Sequence, residues 1–106
     1  MFRRLILAVA LGGVAAPGPA ARAADTATVT IDNFTFTPAV LTISVGTAVT
    51  WTNHDDIPHT VVLPSPAPRS PVLDTDDHFS FTFAAAGTYT YFCSLHPHMQ
   101  ATVVVK

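Results

Sequence analysis

The chain has 106 residues, 49% of them apolar and 11% charged, with a formal charge of −2. That is chain enough for one small domain, too apolar for general disorder, and too acidic for nucleic acid to be the main partner. A single cysteine excludes an internal disulfide framework and any multi-cysteine zinc or iron–sulfur cage.

The first segment reads as an export signal. Arg3 and Arg4 precede an apolar run from Leu5 to Val14, small residues follow to Ala24, and Ala21-Arg22-Ala23 fits the A-x-A cleavage pattern. A run of about ten residues is half of what a transmembrane helix needs. We expect a signal peptide over residues 1–23, cleavage after Ala23, and a mature periplasmic domain over 24–106 with no membrane insertion. Cleavage leaves Arg69 and Lys106 against seven aspartates, a net charge of −5 with histidine neutral. Five histidines stay: His54, His59, His78, His96 and His98. Cys93 is then a lone thiol in an oxidising compartment, where it must be buried or employed.

Beyond the signal, period-two alternation recurs. Val29 and Ile31 alternate with Thr28, Thr30 and Asp32, and Leu41, Ile43 and Val45 with Thr42 and Ser44. Gly46-Thr47 turns the chain into a strand carrying Val49 and Trp51. His59 heads the apolar run Thr60-Val61-Val62-Leu63, read as a further strand. Phe79, Phe81 and Phe83 fall on one face as core residues, as do Tyr89, Tyr91 and Cys93 after Gly87. Met99, Ala101, Val103 and Val105 close the chain. Residues 53–58 form a polar loop, and the prolines at 64, 66, 68 and 71 make a stiff surface excursion. Short threonine-rich strands separated by Pro, Gly and Asp describe an all-β sandwich or barrel.

The chemistry concentrates in Cys93-Ser94-Leu95-His96-Pro97-His98-Met99. Thiolate, imidazole and thioether in one turn suit copper better than zinc, calcium or magnesium. A blue-copper site needs one thiolate, two imidazoles and a weak axial thioether. Cys93, His96 and Met99 offer three of these, and His59, after Pro58, is placed to offer the second imidazole.

Val49-Thr50-Trp51-Thr52-Asn53, Ile57-Pro58-His59 and the stretch from Gly87 to Met99 resemble the type I copper cupredoxins. The likeness is to the amicyanins within the plastocyanin and pseudoazurin group, and it covers roughly residues 27–106. The short C-x-x-H-x-x-M loop, and Asn53 six residues before His59, are what the likeness rests on. The resemblance implies a Greek-key β-sandwich of about eight strands with one copper at one end. It implies that His59, Cys93 and His96 form the trigonal plane and Met99 the axial ligand. It further implies that the Asn53 backbone N–H points at the Cys93 sulfur, while its side chain ties the two ligand loops together. The function implied is one-electron transport rather than catalysis, by a monomer. Its redox partners would be a periplasmic dehydrogenase and a c-type cytochrome, docking at a patch formed by His96, Pro97 and His98. A copper-delivery module without a redox partner is the alternative reading. His54, His78 and His98 are read as surface histidines. The aspartate groups at 55–56 and 74–77 lack the spacing of a calcium loop.

Overall fold

A computed structural model describes residues 25–106, so the proposed signal peptide lies outside the described residues. The described residues form seven regular strands: β1 (Thr26–Asp32), β2 (Thr35–Thr37), β3 (Val40–Ile43), β4 (Ala48–Asn53), β5 (His78–Thr82), β6 (Gly87–Phe92) and β7 (Gln100–Val105). They make a four-stranded sheet in the order β2-β1-β4-β5 and a three-stranded sheet in the order β3-β7-β6. No helix among the described residues is long and apolar enough to cross a membrane.

The sequence alternation dictates which faces meet. In β4, Val49, Trp51 and Asn53 are buried while the intervening threonines are half-buried. In β7, Ala101, Val103 and Val105 point inward. On the outer faces hydroxyls pair across strands, as Thr50 does with Ser80 at 2.7 Å. Full burial of side chains such as Ile31, Val49 and Val103 contributes about 1.5–3 kcal/mol each. Trp51 is the centre of the core, edge-on to Tyr91 at 5.4 Å and tilted against Phe79 and Phe83. Phe83 is buried, and Phe79 and Phe81 pack on the core as partly buried residues. Val45, by contrast, is exposed in the turn before β4 rather than continuing the buried face of β3.

Strand directions decide where function can sit. Parallel pairing of β1 with β4 brings Ile31 beside Asn53, and antiparallel pairing of β4 with β5 brings His78 beside Thr52. The β6–β7 hairpin pairs Phe92 with Gln100. The β1–β2 turn, the long β4–β5 connection and the β6–β7 loop therefore gather at one end. Gly46, at φ +93°, turns the chain at the other.

The run Thr60–Leu63 is not the regular strand its composition suggests. It makes only isolated bridges, His59 with Leu73 and Val62 with Phe92. Between them Val61 is taken by Ser70: the Val61 N–H donates to Ser70 Oγ at 2.8 Å, and the Ser70 N–H donates to the Val61 carbonyl at 2.9 Å. The prolines on either side of that contact have no N–H with which to extend a ladder. The eighth strand is thus replaced by a bridged excursion. Between its prolines and the β5–β6 turn lies an apolar cavity of about 380 Å³.

Candidate metal centre

The ligand loop folds on itself through its own backbone. The His96 N–H donates to the Cys93 carbonyl at 3.2 Å, the Met99 N–H to the His96 carbonyl at 2.9 Å, and the Cys93 N–H to the Met99 carbonyl at 3.1 Å. Two successive three-residue turns bring Cys93, His96 and Met99 onto one loop. Cys93 and Met99 are buried, His96 is half-buried, and Pro97 and His98 are exposed.

His59 approaches from the β4–β5 connection. It is fully buried, held by reciprocal backbone hydrogen bonds with Leu73 at 3.1 and 2.8 Å. Its Nδ1 lies 3.7 Å from Cys93 Sγ. One transition-metal ion can span that separation, because metal–sulfur and metal–nitrogen bonds are about 2.3 and 2.0 Å. Its Nε2 lies 2.8 Å from Asp55 Oδ2. The Phe34 N–H on the Asp55 carboxylate, helped by His59 and the Asn33 N–H, holds that group below the ordinary carboxylate range against desolvation. An ionised carboxylate can only accept, so in the neutral ring Nε2 carries the proton and Nδ1 keeps its lone pair toward the sulfur. The His96 ring meets His59 edge-on at 5.1 Å. Among the described residues no three His, Cys, Asp or Glu side chains stand together in metal-binding geometry, so the tight pair is His59 and Cys93.

Burial opposes ionisation of the Cys93 thiol. The Thr60 N–H, with the Leu95 N–H and the Thr60 hydroxyl, outweighs it and holds the thiol below its ordinary value. The Thr60 N–H donates to the sulfur at 3.4 Å and its hydroxyl lies 3.8 Å away. That hydroxyl also accepts from the Ser94 N–H and contacts Ser94 Oγ, both at 2.8 Å. Buried, polarised toward thiolate and beside an imidazole lone pair, this donor set fits a soft, redox-active metal such as copper.

The expected role of the Asn53 backbone is corrected here. Its N–H donates to the Asp77 carbonyl at 3.0 Å rather than to sulfur, because Asn53 sits at the end of a strand whose neighbour begins at His78. The N–H on sulfur belongs to Thr60. Nor does the Asn53 side chain join the two ligand loops: it donates to the carbonyls of Ile57 and Leu73 and accepts from the Asp55 N–H, all within the connection that carries His59. Thr60, Asp55 and Phe34 are additions; the only sequence hint of the first was a hydroxyl residue directly after His59. His54, His78 and His98 lie on the surface, with His54 4.0 Å from Asp76.

A two-sheet sandwich with a Cys, His and Met loop facing a buried histidine defines a class. Residues 4–105 match the cupredoxin-like domain family, and the chain belongs to it. Within that family it is similar to amicyanins. It is 38% identical to amicyanin of Paracoccus denitrificans over 96 residues, 85% of this chain and 73% of that protein. It is 41% identical to amicyanin-alpha of Methylorubrum extorquens over 69 residues, 60% and 58% of the two chains. Among solved structures, a reduced amicyanin variant superposes with a TM-score of 0.73 at 34% identity, covering 82% of this chain and 88% of that one. The purple cupredoxin of Nitrosopumilus maritimus gives 0.72 at 35% identity, covering 76% and 99%.

Proposed function

We propose that this cupredoxin is a one-electron carrier that would hold one type I copper on His59, Cys93, His96 and Met99. The copper would supply the electron by cycling between Cu(II) and Cu(I). The chain's own residues do the rest. Asp55 presents His59 with Nδ1 toward the site. The Thr60 N–H and hydroxyl draw charge from the sulfur, which favours the reduced state. Burial of Cys93, His59 and Met99 excludes water. His96, the half-buried member, is the route by which an electron enters or leaves.

The observation that carries this reading is the approach of His59 Nδ1 to Cys93 Sγ across 34 residues of sequence. Relatives support it: solved amicyanin structures include oxidised, reduced and Cu(I) forms. On this reading the protein acts in the periplasm as a monomer after signal cleavage and is not an enzyme. It passes electrons between a dehydrogenase and a c-type cytochrome that dock around His96, Pro97 and His98. Titrating the metal-free protein with Cu(II) tests the assignment. The expected result is an intense blue thiolate-to-copper band that saturates at one equivalent and bleaches with ascorbate. A colourless copper complex would overturn it.

A further inference from the structure

The turn between β1 and β2 is built from Asn33 and Phe34, with φ of 50° and 56°. Two consecutive positive φ angles joining paired strands make a type I′ turn, whose second slot is normally given to glycine. Asn33 tolerates this conformation; a bulky aromatic residue does so only when its surroundings hold it. The core is not what holds Phe34, since the side chain is 50% exposed.

The metal-binding end holds it instead. Its N–H donates to Asp55 Oδ2 at 3.0 Å, the same oxygen that lies 2.8 Å from His59 Nε2. Its ring stands edge-on to His96, with centroids 4.9 Å apart and planes at 85°, and edge-on to His59 at 5.7 Å and 89°. The three rings thus form one mutually packed cluster with a single carboxylate behind two of them. His96 makes no side-chain hydrogen bond among the described residues, so ring contacts alone orient it in the protein.

We propose that Phe34 is a positioning residue for the metal centre: hung from Asp55 in a strained turn, its ring braces the half-buried His96 imidazole against His59. This rests on the assignment of His96 as a ligand. A braced imidazole would already point into the site before metal binds, and would rearrange little when the electron arrives.

Phe34→Gly separates this role from a structural one. Glycine suits the positive φ, so the fold should keep or gain thermal stability, while the ring is lost. In the metal-free protein, the His96 ring resonances should be single and sharp in the native chain, and broadened or doubled in Phe34→Gly. They should be sharp again in Phe34→Tyr, which restores the ring. In the loaded protein, Cu(I) retention against a chelator should fall about two- to tenfold in Phe34→Gly and recover in Phe34→Tyr, the range expected for one aromatic pair. Sharp His96 resonances in Phe34→Gly, or Cu(I) retention unchanged, would overturn the proposal. The resonance measurement needs no metal, so it decides on the brace even if the copper assignment fails; the visible titration decides the latter.

Discussion

His59 and His96 have ring centres only 5.1 Å apart, yet the protein holds them in different ways. His59 is buried, bridged to Leu73 by two backbone hydrogen bonds, and gripped at Nε2 by a carboxylate that Phe34 and Asn33 keep ionised. Cys93 belongs to the same half of the site, tied to Thr60 through its sulfur. His96 rides on a loop closed by its own backbone and tied to Thr60 through Ser94, and its ring has edge contacts in place of hydrogen bonds. The difference suggests a division of labour. On the proposed assignment, one half would fix the metal to the sandwich, and the other would face the partner and yield first.

Removing the thiolate is the harshest way to break this comparison. Cys93→Ser should abolish the visible copper band, while circular dichroism reports an unchanged sandwich, because a hydroxyl is neither a soft donor nor an anion near neutral pH. Asp55→Asn attacks the fixed half more gently. The amide can donate to Nε2, turning the imidazole so that its proton faces the sulfur, and copper affinity in a competition titration should drop about 10- to 100-fold. Thr60→Val keeps the N–H on sulfur and removes the hydroxyl. Losing a bond worth about 1 kcal/mol should lower the reduction potential by about 40 mV in voltammetry.

Tyr91→Phe is the mildest change and lies beneath the site. Burial pushes the Tyr91 phenol up to about 12. The unfolded phenol titrates near 10, so the metal-free protein should lose stability as pH rises from about 10 to about 12. Ultraviolet titration should show the late phenolate step vanishing in the variant. The visible band at neutral pH should not change.

Much of this was legible in the sequence because it is local. The alternation in β1, β4 and β7 marks their buried faces, and the three-residue spacing of Cys93, His96 and Met99 is what the loop's backbone turns require. The long-range contacts were not legible. Thr60 meets Cys93 across 33 residues, and Phe34 meets Asp55 across 21. Neither pairing leaves a mark in composition, and Asp55 reads as one more acidic loop residue. The run Thr60–Leu63 has strand composition, but Ser70 and its flanking prolines, which limit it to isolated bridges, lie several residues away. The Asn53 backbone was misread for a related reason: a family likeness carries residue identity more reliably than it carries the partner of each N–H.

The division between the two imidazoles is tested most directly by following both rings in the Cu(I)-loaded protein by nitrogen-15 NMR at fixed neutral pH while a competing soft ligand such as cyanide is added. The account predicts that the His96 ring is displaced first, while His59 keeps its Nε2–H on Asp55 and its place. Release of His59 before His96, or of both together, would contradict it.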